Sequence, residues 1–293
     1  MSNIKYLDGF FSADDGAQIF YRRYGYLSKK KVPVLCLSGL TRNSSDFHEL
    51  ALKMCQDRMV IVTDYRGRGK SEYSLNWRKY TPEIHIFDIH QLLAILNIKK
   101  LFIIGTSLGG IIGMGIKVLM PKRVIGILLN DIGPELSPNG LTNLRKYMVQ
   151  NKVFHNWSDV ACHLQKYFPE LGDYSITDWI RIAKGSYKED LDGSIKQNWD
   201  PRLRIALGSS NLTSKDLWRL FLSLRRDHLV TLRGENSNIL SNEVLLKMSE
   251  KIPQMKTKII PGAGHAPTLL EAESQKILME VLNEADATYS GQN

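Results

Sequence analysis

The sequence predicts an α/β protein with a mostly parallel sheet, because β-type and helix-type apolar runs alternate along most of its 293 residues. Runs such as 100–104, after its leading lysine, and 124–129 are apolar without interruption, the pattern of strands covered on both faces. The hexapeptide Gly105-Thr106-Ser107-Leu108-Gly109-Gly110 joins the first of these to a helix-type segment at 111–119. Glycines two residues before and two after the serine are what a sharp strand-to-helix turn requires.

Strands are expected at 18–24, 34–37, 59–63, 100–104, 124–129, 229–232 and 256–260, where apolar runs end at turn-forming residues. The first strands should form an antiparallel hairpin around Asp14-Asp15-Gly16. Helices are expected between most of them, at 45–56, 82–97, 108–119, 241–251 and 269–285. From 134 to 226 the rhythm breaks, leaving only helix-like pieces at 141–150, 158–168, 177–183 and 214–224. That interval is too long for a structureless loop. It reads as a helical cap inserted into a core made of 1–133 and 227–293. A few of its aromatics are expected to line a pocket and most to pack its own small core. The tail after Ala285 is polar and expected to fray.

Hydrophobic residues make up 43% of the chain, enough for a large core. The three cysteines, Cys36, Cys55 and Cys162, are widely spaced and include no C-x-x-C pair, so neither a disulfide framework nor a zinc site is encoded. A reducing cytoplasm is the expected home. The N-terminus has no uninterrupted apolar stretch of the kind a secretory signal needs. The apolar segment 101–116 is too short and glycine-rich for a membrane span. The net charge of +9 gathers at Lys29-Lys30-Lys31 and Arg225-Arg226 without aromatic interleaving or a DNA-binding motif, which argues against specific nucleic-acid binding. Gly69-Lys70-Ser71 mimics the end of a phosphate-binding loop, but Asp64 occupies the place of its first glycine.

A serine hydroxyl is a weak nucleophile at neutral pH; it needs a base, and the base needs an orienting partner. His265 lies in Gly262-Ala263-Gly264-His265-Ala266-Pro267, a loop between the last expected strand and the last helix. His85 and His90 share a helix with the wrong spacing for a zinc motif, and the remaining histidines sit singly in helical or strand-edge settings.

The order of Ser38-Gly39-Leu40, Asp64-Tyr65-Arg66-Gly67-Arg68-Gly69-Lys70-Ser71, the Ser107 turn, Asn130-Asp131-Ile132-Gly133-Pro134 and late His265 resembles the α/β-hydrolase superfamily over nearly the whole chain. Within it, the chain is similar to the capped, esterase-like bacterial enzymes with a serine nucleophile. The resemblance implies an eight-stranded sheet, a lid after the sixth strand and no cofactor or metal. It also implies an oxyanion hole of two backbone N–H groups, those of Leu108 after the nucleophile and Leu40 in the loop after the third strand. Many relatives have His-Gly where this chain has Ser38-Gly39.

The acid is the least determined member. Relatives usually carry it in the loop corresponding to 232–241, commonly as Asp where this chain has Asn238. An amide cannot neutralise an imidazolium. Asp131 at the end of the sixth strand, Glu235 in the usual loop, and Asn238 as a mere orienting group are the three readings, with Asp131 preferred. Asp64 and Arg66 read as ties of the turn after the fourth strand. The expected activity is hydrolysis of a carboxylic ester or related acyl bond of a small molecule. A carbon–carbon hydrolase acting on a ring-fission diketone, and a non-catalytic ligand-binding protein of the same fold, are the alternatives.

Overall fold

A computed structural model describes residues 6–209 and 212–290. The chain opens with β1 (Tyr6–Ser12) and β2 (Gln18–Tyr24), an antiparallel hairpin, followed by β3 (Val34–Leu37), α1 (His48–Met54), β4 (Val60–Thr63), α2 (Pro82–Ile95), β5 (Leu101–Thr106), α3 (Leu108–Leu119) and β6 (Val124–Asn130). Next come α4 (Pro138–Met148), α5 (Trp157–Tyr167), α6 (Ile176–Lys184), β7 (Tyr187–Glu189), β8 (Ile195–Gln197), α7 (Leu203–Gly208) and α8 (Ser214–Leu222). The chain returns through β9 (His228–Gly234), α9 (Asn242–Lys251), β10 (Lys256–Ile260) and α10 (Ala272–Ser290).

Eight strands form one sheet in the order β1-β2-β4-β3-β5-β6-β9-β10, parallel from β4 to β10. Every residue of β3, β4 and β6 is buried, because helices cover both faces. One apolar layer joins the sheet to α2, α3, α8 and α9, and a second joins it to α1 and α10.

The register positions the ends that matter. Thr106 of β5 pairs with Asn130 of β6, and Asn130 pairs with Leu232 of β9. Ser107 and Asp131 therefore leave the sheet side by side, and their N–H groups extend the ladder to Asn130 O at 3.1 Å and Leu232 O at 2.9 Å. Crevices at the carboxyl ends of parallel strands are where such sheets bind ligands.

Three details depart from the sequence reading. The interval after β6 contains a small hairpin, β7 with β8, whose short strands YKE and IKQ are too polar to stand out as apolar runs. Much of this interval packs around its own apolar cluster, including Tyr147, Trp179 and Trp199, but α8 packs on α3, with Leu217 and Phe221 in the sheet's core layer. As far as Ser290 the tail after Ala285 stays helical in α10, because buried Asp286 accepts from Val32 N–H and from both terminal nitrogens of buried Arg58; 291–293 lie outside the described residues. Ion pairs of this kind resist fraying because breaking one strands the partner charge out of water.

Among the described residues no helix is long and apolar enough to cross a membrane, and no group of three or more His, Cys, Asp or Glu could hold a metal.

Candidate active site

Ser107 sits between β5 and α3 with φ 52° and ψ −117°, a backbone conformation L-residues rarely adopt. The neighbouring glycines make the turn possible. A Cβ on Gly105 would come within 2.6 Å of Gly109 O, and one on Gly109 would collide with Leu37 O. The strain aims the serine side chain out of the sheet at the N-terminus of α3.

His265 follows β10 and reaches back over this turn. Its Nε2 lies 3.0 Å from Ser107 Oγ, and its Nδ1 lies 2.6 Å from Asp131 Oδ2. A carboxylate that accepts from Nδ1–H fixes the tautomer and leaves the Nε2 lone pair for the serine proton. The imidazole loop is held by its surroundings: Asn130 Nδ2 donates to Pro267 O at 2.9 Å, and Gly264 N–H donates to Leu171 O at 3.0 Å.

Asp131 is fully buried and itself has φ 56°. Its Oδ1 accepts from Gly234 N–H at 3.0 Å, and its Oδ2 accepts from the Ser237 hydroxyl at 2.6 Å as well as from His265. A buried carboxylate is tolerated only when paired and hydrogen-bonded, and these three donors meet that condition. The other two candidates are engaged elsewhere. Glu235 Oε2 accepts from Gly262 N–H at 2.8 Å, and Asn238 Nδ2 donates to Glu170 Oε1 at 2.6 Å.

Leu108 is the first residue of α3, so its N–H has no carbonyl within the helix to bond. Leu40 stands in the loop after β3, where the preceding glycine comes close to Ser107: a Cβ on Gly39 would lie 3.7 Å from Ser107 Cβ. Both Leu40 and Ser107 line a cavity of about 480 Å³, whose apolar wall includes Leu144, Phe168, Leu171 and Ile182. Of the aromatics in the interval after β6, Tyr147, Phe168 and Tyr174 line this cavity. Trp179 packs in the cluster beneath, and Trp218 lies against the sheet core with its Nε1 on Glu135 Oε1.

Sequence reasoning missed Ser237, although it precedes the residue singled out in the same loop; only the β6–β9 register shows that it faces Asp131. It also missed Arg42, which chelates Asp46 and donates to Ile182 O and Ser186 Oγ, both at 2.9 Å, so tying the Leu40 loop to the segment after β6. Asp64 and Arg66 are ties, as read: Asp64 accepts from Ser44 N–H and Lys70 N–H, and Arg66 chelates Asp88. Burial pushes the Asp64 carboxyl above the usual carboxylate range.

A family model described as alpha/beta hydrolase fold matches residues 32–272. A 3-hydroxybutyrate-oligomer hydrolase of Cupriavidus necator is 30% identical over 260 residues, covering 86% of this chain and 88% of that protein. A 2-(acetamidomethylene)succinate hydrolase of Mesorhizobium japonicum is 25% identical over 233 residues, covering 79% and 81%. Among solved structures, an alpha/beta hydrolase from Novosphingobium aromaticivorans is 36% identical with a TM-score of 0.88, covering 96% of this chain and 99% of that one.

Proposed function

Since the chain belongs to the alpha/beta hydrolase fold family, we propose that it is a serine hydrolase cleaving a carboxylic ester of a small molecule. The observation that carries this reading is the continuous relay from Ser107 Oγ through His265 to buried Asp131, at 3.0 and 2.6 Å. Ser107 Oγ attacks the ester carbonyl while His265 Nε2 takes its proton, and Asp131 stabilises the imidazolium. The carbonyl oxygen becomes an oxyanion facing the N–H groups of Leu40 and Leu108, donors typically worth about 3 kcal/mol of barrier each. Collapse breaks the ester C–O bond, and the alkoxide leaves with the proton from Nε2. Water, deprotonated by the same nitrogen, then attacks the acyl-serine; the second oxyanion collapses to release the acid and return Ser107 Oγ–H.

Residues 134–226 act in this reading as the cap that shapes the acyl cavity, with α8 anchoring it to the core. The likeness to the 3-hydroxybutyrate-oligomer hydrolase makes short hydroxy-acid esters the substrate class to try first.

The test is hydrolysis of p-nitrophenyl esters of short, medium and long acids, together with a linear 3-hydroxybutyrate dimer, with Ser107→Ala as the blank. Turnover of the shorter esters that disappears in the blank is the expected result. Absence of Ser107-dependent turnover, together with no labelling by a fluorophosphonate, would overturn the reading in favour of a non-catalytic binding protein. Cleavage of a ring-fission dienoate with no action on esters would overturn it in favour of carbon–carbon hydrolysis.

A further inference from the structure

The loop carrying Leu40 is held from beneath by two side chains that do not line the cavity. Both come from the turn after β4. Tyr65 donates its hydroxyl to Ser38 O at 3.3 Å, and Arg68 donates Nε–H to Leu40 O at 2.9 Å. These two anchored carbonyls bracket the Gly39–Leu40 peptide, whose N–H is the proposed oxyanion donor. Fixing the peptides on either side fixes the direction of that N–H.

Arg68 is an unusual choice for a strut. It is fully buried, its Nη1 donates to Arg66 O at 2.7 Å and to His85 Nε2 at 3.1 Å, and its Nη2 is buried without a partner. No ion pair joins it to a carboxylate among the described residues; Asp200, which acts on it from farther away, is already held by Tyr80 and Arg202. His85 must accept from this guanidinium, so it is neutral, and burial followed by the neighbouring arginines drives its pKa well below the ordinary value. Tyr65 stacks on the same imidazole at 4.8 Å. Burial lowers the Arg68 pKa to about 10, which leaves it charged at neutral pH. A buried cation without a counter-charge is costly, and an apolar side chain would fill the space more cheaply. A negative charge that forms across the Leu40 peptide only during the reaction would give this cation the partner it lacks, acting through the peptide to which its Nε–H is bonded.

We propose that Arg68, assisted by Tyr65, is the positioning residue of the oxyanion hole: it locks the Leu40 peptide toward the acyl carbonyl, and its uncompensated charge stabilises the tetrahedral oxyanion. The inference rests on the serine-hydrolase reading above.

The experiment compares wild type, Arg68→Met, Arg68→Lys and Tyr65→Phe for kcat and KM on p-nitrophenyl butyrate. It adds the inhibition constant of a trifluoromethyl ketone, whose adduct with Ser107 places an oxyanion in the hole. In Arg68→Met, kcat should fall about 30- to 100-fold with KM within about threefold, and ketone affinity should weaken by a matching factor. Arg68→Lys should recover most of both losses, and Tyr65→Phe should lose about three- to tenfold in kcat. Wild-type kcat in a folded Arg68→Met protein would overturn the inference, as would a kcat loss without the matching loss of ketone affinity. If Arg68→Met does not melt cooperatively, Arg68→Lys and Tyr65→Phe decide, and unchanged ketone affinity in Tyr65→Phe counts against the inference. A wild type without Ser107-dependent turnover removes the serine-hydrolase reading and this inference with it; an active wild type with unaffected variants removes this inference alone.

Discussion

The loops that follow β6 and β9 leave the sheet next to each other, yet they face His265 with different chemistry. The β6 loop presents Asp131, a buried carboxylate touching the imidazole; the β9 loop presents an amide, Asn238, turned away onto Glu170. What the β9 loop gives to the site is donors, because Gly234 N–H and Ser237 Oγ both bond Asp131. A carboxylate on one strand end and its hydrogen-bond cradle on the next make a division of labour. Substitutions at the residues of either loop that touch this carboxylate should therefore act through Asp131.

Replacing Asp131 by Asn should break this arrangement most severely. The imidazole loses its counter-charge and its fixed tautomer, so kcat for p-nitrophenyl butyrate should fall by about 10³- to 10⁴-fold while the protein stays folded. Activity close to wild type would mean that the two loops are interchangeable.

Ser237→Ala should come next. It removes one of three donors to a buried charge, and kcat should drop about tenfold with a stability loss of about 1–2 kcal/mol in urea titration. No change in either quantity would show that the cradle is dispensable.

Asn238→Asp sharpens the contrast, since it puts a carboxylate into the β9 loop but points it at Glu170. Activity should stay within about threefold and stability should fall by about 0.5–1 kcal/mol, the scale of an exposed charge pair. Added to Asp131→Asn, it should fail to restore turnover. Glu235→Gln should do least, within about twofold in kcat and about 0.5 kcal/mol in stability, because Glu235 only accepts from Gly262 N–H at the surface.

What could be read in the chain beforehand follows the same physics. Strands buried on both faces announce themselves as unbroken apolar runs, as 34–37 and 124–129 did. The Ser107 turn is legible because its glycines are sterically required. The choice among Asp131, Glu235 and Asn238 stayed open because it depends on the pairing of β6 with β9, a contact between residues about a hundred positions apart that leaves no local pattern. Ser237 was invisible for the same reason. The β7–β8 hairpin and the short helix α7 lie where neither apolar alternation nor helical periodicity runs long enough to register. The order of the tail as far as Ser290 is not legible in the sequence because its anchor, Asp286 on Arg58, joins distant parts of the chain.

The proposed chemistry requires that Ser107 be acylated during turnover. Protein mixed with p-nitrophenyl acetate, quenched in acid at steady state and mapped by peptide mass, should carry one acetyl group on the peptide containing Gly105–Gly110, and Ser107→Ala should carry none. Continued ester hydrolysis with that peptide unmodified, or an acetyl group only elsewhere, would rule out Ser107 as the acylated residue.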